Sequence, residues 1–252
     1  MPRPIPPQVV PRPTTWQAGD EAPWAHLPPA DRRGIGVARV LNGLSARGQT
    51  GSVPDGVAIG DELGPSVVLN ESPAPAPGPI NSAVLAVLFE EAGEARLIFT
   101  RRSSSLRSHA GQVSFPGGRL DPGEDAQTAA LREAYEEIAL NPAQVSLQGW
   151  IHPVLTLVSA SLIMPLVATV PSRPHVVASP AEVERVFDVA LADLADLENF
   201  HEERWSFPGR PVPGTPDGSF PVWFFEVEGE MIWGATARML HELLSVALLP
   251  PS

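Results

Sequence analysis

The chain contains no cysteine, which excludes disulfides, thiolate nucleophiles and cysteine-ligated zinc or iron–sulfur sites together. Any metal must then be held by oxygen or imidazole. Also missing is a run of about twenty apolar residues of the kind that spans a bilayer, although hydrophobic residues make up 43% of the sequence. No transmembrane helix and no membrane partner are expected. The opening residues, Met1 to Arg12, hold prolines and arginines with no continuous apolar stretch behind them. They do not read as a secretory signal, so a cytoplasmic location is the default expectation. Positive charge is scarce: Lys and Arg total 17 against 29 Asp and Glu, a net charge of -12. A field of that sign repels polyanions such as duplex DNA, and nucleic acid is not an expected partner. A small phosphorylated ligand remains open, because a local arginine cluster and a bound cation outweigh a distant net charge.

At 252 residues the chain suffices for one well-packed domain with appendages and is short for two of ordinary size. Prolines crowd Pro2 to Pro13, and Ser72 to Pro79 (SPAPAPGP) forms a second block, which reads as a semi-rigid extended linker. Between the blocks, Pro29 to Leu44 carries Ile35, Val37, Val40, Leu41 and Leu44 near helical spacing, enough for one short amphipathic helix. Residues 1–80 are therefore read as a proline-rich accessory segment that packs on the core or on a sister subunit. Trp16 and Trp24 are its candidates to seal the core or a homodimer interface. Residues 81–252 are read as the catalytic domain.

That domain opens with Ser82 to Phe89 (SAVLAVLF) and Ala95 to Arg101 (ARLIFTR), two strand-length apolar runs separated by a turn, a hairpin signal. Glu124 to Leu140 holds strong helix formers with apolar residues at 130, 131, 134, 138 and 140, and Asn141-Pro142 ends it, because the residue before a proline avoids helical geometry. Val145 to Val154, Leu162 to Val170 and Phe220 to Val227 have strand character. Ala181 to Asp196 alternates acidic and apolar residues at a mostly helical period and is expected as a helix, as is Thr236 to Leu249. Mixed strands and helices with hairpin and crossover connections predict an α/β sandwich.

Within the Glu124 helix, Glu133, Glu136 and Glu137 stand at i, i+3 and i+4. Their side chains leave one face within about 5 to 6 Å of each other at Cβ. A bare triplet of this kind is usually a solvated face, but three crowded carboxylates also suit a hard cation such as magnesium, which takes carboxylate and phosphate oxygens together. Context favours the cation. Arg132 precedes the triplet and can pair with Glu136, and upstream lie Glu124 and Phe115-Pro116-Gly117-Gly118, whose glycines let backbone approach a ligand closely.

Gly118, five residues, Glu124, seven residues, Arg132-Glu133, Ala134, Tyr135, Glu136-Glu137, Ile138, Ala139 and Leu140 together resemble the signature box of the Nudix hydrolases. The family has glycine where this chain has Ala139, and alanine is expected to be tolerated there because it suits helical dihedrals. The resemblance implies a Nudix fold, an α/β/α arrangement with a mixed sheet sandwiched between helices, that hydrolyses a nucleoside diphosphate linked to another moiety. Carried onto this chain, it makes Glu133, Glu136 and Glu137 ligands of Mg2+ or Mn2+, with the Gly117 carbonyl as a further candidate. Arg132 orients a glutamate, and Glu133 is the first choice of general base. Glu182, in Pro180 to Phe187 (PAEVERVF), is the second choice, although a surface helix charge is its commoner role.

Ahead of the box, Ile98 to Gly118 (IFTRRSSSLRSHAGQVSFPGG) is basic within an acidic protein, and arginine's planar fork suits phosphate. Ile98, Phe99, Thr100, Arg102, Ser103, Arg107, Gly111 and Phe115 to Gly118 resemble a narrower pattern found in Nudix enzymes that hydrolyse coenzyme A. That resemblance implies coenzyme A as the small-molecule substrate, with adenosine 3',5'-bisphosphate and 4'-phosphopantetheine as products. Arg102, Ser103, Arg107, His109 and Gly118 are the candidate substrate contacts, although a lone histidine is more often structural. Two alternatives stay open: hydrolysis of another dinucleotide such as ADP-ribose or NADH, and a non-catalytic nucleotide-binding module.

Overall fold

The computed structural model describes residues 8–53, 80–106, 109–156, 161–207 and 218–251. The proposed linker Ser72 to Pro79 and Arg107 lie outside the described residues. In chain order the elements are β1 (Thr15–Ala18), α1 (Val37–Ala46), β2 (Ser82–Glu91), β3 (Glu94–Arg102), β4 (Val113–Ser114), β5 (Gly117–Arg119) and α2 (Ala126–Ile138). There follow β6 (Ser146–Trp150), β7 (Val154–Thr156), β8 (Ser161–Thr169), β9 (Val183–Ala190), α3 (Leu191–Leu194), β10 (Phe200–Ser206), β11 (Phe220–Val227), β12 (Glu230–Trp233) and α4 (Gly234–Leu248).

Strand β2 is the centre of the larger sheet. It pairs in parallel with β8 from Ser82↔Ile163 to Leu88↔Thr169 and antiparallel with β3, while β5 joins its first residues. All of Ser82 to Phe89 is buried, because both faces are covered. Ala83, Leu85, Val87 and Phe89 face a cluster with Ala129, Ala130, Ala134 and Ile138 of α2. Val84, Ala86 and Leu88 face the opposite way, into a cluster with Val40 and Leu44 of α1 and Leu240, Leu243 and Leu244 of α4. A strand covered twice reads as a continuous apolar run rather than an alternating one. The mixed sheet is thus sandwiched between helices, as the sequence predicts.

A second sheet, ordered β1-β10-β11-β12 and wholly antiparallel, packs its inner face on α4: Phe200, Phe225, Val227 and Ile232 belong to the same cluster as α4. Its other face carries Trp205, Phe220, Val222 and Phe224, with Val10 packed against them. The described part of the first eighty residues is therefore built into the body of the fold. Trp24 is fully buried and donates from Nε1 to the Ala195 carbonyl at 3.0 Å, and α1 packs along α4 with Gly43 so close to the Val246 carbonyl that no Cβ fits. Trp16 stays half-exposed.

Two local readings are corrected. Val183 to Ala190, expected within a helix, is strand β9, paired antiparallel along β3 from Arg96↔Ala190 to Arg102↔Val183. Val183, Phe187 and Val189 are buried, and Phe187 stacks on Phe99 with ring centroids 5.6 Å apart. The free edge of β3 outweighed a local helical period. Ala139 does not have helical dihedrals either. It is the residue just past α2, with φ 54° and ψ 28°, a left-handed conformation that costs a residue bearing a Cβ about 1 to 2 kcal/mol. Ala139→Gly should therefore stabilise the protein by about 0.5 to 1 kcal/mol, a rise in Tm of roughly 1 to 4 °C in thermal or urea unfolding. A loss of stability would contradict the strain.

Candidate active site

Helix α2 is set by its ends. Asp125 caps the start, accepting from the Thr128 amide at 2.7 Å, and its buried face of alanines and Ile138 lies on β2. That docking turns Glu133 and Glu137 towards β5. Gly118 on β5 runs so close to Glu133 that a Cβ there would lie 2.5 Å from the carboxylate carbon, and a Cβ on Gly117 would strike the Ala83 carbonyl at 2.3 Å. Gly117, at φ 151° and against backbone, accepts only glycine, whereas a side chain at Gly118 would have to displace the Glu133 carboxylate.

The three glutamates sit in unlike surroundings. Glu137 is the most enclosed, with its side chain 3% exposed. One carboxylate oxygen accepts from the Gly117 amide at 3.1 Å, and the other lies 3.6 Å from the Arg102 guanidinium. Burial pushes its carboxyl up to about 7, partly offset by the Gly117 amide and Arg102, with Glu133 and Glu182 adding like-charge repulsion. Burial also raises Glu133, against the pull of Arg132. Glu136 is half-exposed.

Arg132 gathers this face. It donates to both oxygens of Glu124 at 3.0 and 2.9 Å, to Glu133 and Glu136 at 3.0 Å each, and to the Arg119 carbonyl at 3.0 Å. Its charge is held by the Glu124 hydrogen bonds first and by Glu133 next. The pairing with Glu136 expected from spacing is present, within a wider fork.

Residues expected to recognise substrate divide. Arg102, at the end of β3, faces Glu137, and its Nε is buried with no hydrogen-bond partner among the described residues. Ser103 is buried and its amide donates to the Glu182 carbonyl at 2.7 Å, while the Ser179 amide donates to the Glu137 carbonyl at 2.8 Å. These two bonds pin the turn that carries Glu182, which is itself exposed and close enough to Glu133 and Glu137 to repel both. His109 has φ 56° and pairs with the Gln112 side chain at 2.8 Å, so within the described residues it shapes its own loop. The turn at Ser179 was missed in the sequence, although a serine before a proline favours turn initiation and could have marked it.

Among the described residues no three acidic or imidazole side chains form a ready-made cage. The donor chemistry nevertheless fits a hard divalent ion. All candidate ligands are oxygens, and among the described residues the buried carboxylate of Glu137 has the Gly117 amide and the Arg102 guanidinium at 3.6 Å to balance its ionised form. Magnesium takes few protein carboxylates and leaves positions for substrate oxygens.

A NUDIX domain model matches residues 79–208. The uncharacterized Nudix hydrolase NudL of Citrobacter koseri is 36% identical over 176 residues, spanning 68% of this chain and 86% of that protein. The protein of the same name in Escherichia coli K12 is 38% identical over 157 residues, 61% of this chain and 77% of its own length. Among solved structures, a Nudix hydrolase from M. smegmatis, RenU, aligns with a TM-score of 0.40 at 21% identity, over 47% of this chain and 74% of that one. The chain belongs to the Nudix family. It is a hydrolase of the pyrophosphatase type, acting on small molecules, and its family generally uses divalent metal ions. No described helix is long and apolar enough to cross a membrane.

Proposed function

We propose that this enzyme hydrolyses the pyrophosphate bond of coenzyme A to adenosine 3',5'-bisphosphate and 4'-phosphopantetheine, with Mg2+ or Mn2+ as cofactor. The observation that carries this reading is the meeting of the two sequence patterns at Glu137. Arg102, from the upstream pattern, stands 3.6 Å from a carboxylate of the signature helix. The Arg102 side chain is partly exposed beside that carboxylate, and its guanidinium fork suits a phosphate oxygen.

In this reading Glu133, Glu136 and Glu137, with Gly117, hold the divalent ion, which when bound lowers the pKa of water and offsets charge on phosphate oxygens. Arg102, Ser103 and the open edge at Gly118 receive the diphosphate, with Arg107 completing the set. Glu133 accepts the proton of the attacking water, since it lies against β5 with its carboxyl raised by burial. Arg132 holds Glu133 and Glu136 in place. Residues 81–252 carry this machinery, and the N-terminal segment braces it.

Coenzyme A, ADP-ribose and NADH compared side by side with magnesium, with products read by mass spectrometry, test the substrate. Coenzyme A should give the highest kcat/KM, and a preference for either of the others would transfer the assignment to that dinucleotide. For the base, Glu133→Gln should lower kcat by about 10² to 10⁴ while Glu182→Gln lowers it less than about tenfold. The opposite ranking would move the role to Glu182.

A further inference from the structure

Gln8 lies 103 residues from Gly111 in sequence, yet it touches the loop that shapes the site. Its Nε2 donates to the Gly111 carbonyl at 2.9 Å, and its Oε1 accepts from the Met231 amide at 2.6 Å. Gly111 belongs to the turn that returns from Arg102 to β4. The Gly111 amide donates to the Arg102 carbonyl at 3.1 Å, and the Arg102 amide donates to the Gln112 carbonyl at 2.9 Å. Gly111 has φ 70°, so the turn is fixed by backbone geometry at this point and by Gln8 outside it.

The far anchor is β12. Next to Met231, buried Glu230 pairs with Arg101, the neighbour of Arg102. Strand β12 therefore grips the end of β3 twice, directly through Glu230 and Arg101 and indirectly through Gln8. The segment bearing Gln8 is itself tied down. Arg12 forks onto the buried carboxylate of Glu203 at 3.1 and 2.8 Å, and Val10 packs on the aromatic face of the second sheet.

We propose that Gln8 is a positioning residue for substrate recognition, bracing the turn at Gly111 so that Arg102 and Ser103 are held towards Glu137 and the Glu182 turn. This rests on the reading that Arg102 and Ser103 meet the phosphates of the substrate. Gln8 touches none of the glutamates, so its influence falls on KM rather than on kcat.

Two variants of the full chain test it. Gln8→Ala removes both bonds, whereas Gln8→Glu keeps an acceptor for Met231 and removes the donor to Gly111. Without substrate, amide hydrogen exchange at Arg102 and Gly111 should quicken by about tenfold in both variants while amides of β2 and β11 do not change. Unaltered exchange at Arg102 and Gly111 overturns the proposal. With magnesium and the pyrophosphate substrate that the wild type cleaves best, KM should rise about three- to tenfold with kcat within about twofold. A fall in kcat at constant KM, or a loss that follows a lowered Tm, makes Gln8 merely structural and overturns the proposal. If coenzyme A is not cleaved at all, the substrate assignment fails, while the exchange rates and the KM for the substrate that is cleaved still decide the role of Gln8.

Discussion

Replacing Glu137 with glutamine is expected to lower kcat by about a thousandfold or more and, in the same protein, to raise the stability of the metal-free form at pH 8. The two effects share one cause. In the fold this carboxyl titrates near 7 because it is buried, against 4.5 for the free side chain. A carboxyl raised on folding binds a proton more tightly in the native state, so native stability falls as pH climbs. Below 4.5 both states are protonated and nothing is lost. The loss grows from 4.5 to 7 and is complete above 7, where it amounts to at most about 3 kcal/mol. Glutamine keeps an oxygen for the Gly117 amide and carries no charge, so with chelator present its Tm should exceed that of the wild type by several degrees at pH 8 and match it near pH 4.5. Magnesium should stabilise the wild type most at the alkaline end. Full turnover by Glu137→Gln would remove this carboxylate from the metal-binding set. An unchanged melting difference between the two pH values would show that the buried carboxyl is not strained by its surroundings.

Arg132→Lys is expected to lower kcat by about 10- to 100-fold with a smaller change in KM. Arg132 spreads its fork over Glu124, Glu133, Glu136 and the Arg119 carbonyl. An ammonium group holds the charge but cannot satisfy that many fixed directions. Glu133 and Glu136 would then sample other rotamers, and a group misplaced by about 1 Å reacts far more slowly. Stability should fall by only about 1 kcal/mol, because the fork is partly exposed and screened by solvent. Equal turnover in the lysine variant would show that charge alone, rather than direction, is required of this position.

The parts of the molecule legible in the sequence are those whose signal is local. The carboxylates lie within one turn of helix, so spacing alone puts them on one face, and the apolar run of β2 announces a strand covered on both sides. Phe220 to Val227 appears as a strand with the bounds expected of it. Segments whose state is decided by a distant partner were not legible. β9 matches a helical period on its own and becomes a strand because β3 offers an edge. β10 carries Glu203 buried among aromatics, a polar residue where a pattern reader looks for an apolar one, and it is satisfied by Arg12 from the N-terminal segment together with the Trp205 indole. Ala139 was misjudged because a helix's last residue and the left-handed residue beyond it look alike until the backbone is seen. Gln8 gave no sign at all, since both its partners are backbone groups far along the chain.

Helix α4 closes the apolar faces of both sheets, yet it follows every strand of them in the chain. During synthesis, therefore, Leu88, Phe99 and Val167 on one sheet and Phe225 and Ile232 on the other leave the ribosome before Leu240, Leu243 and Leu244 can cover them. Until α4 emerges, these two apolar surfaces lack the cover it gives them in the fold. A folding helper that shields such surfaces would act in that interval and be dismissed when α4 docks.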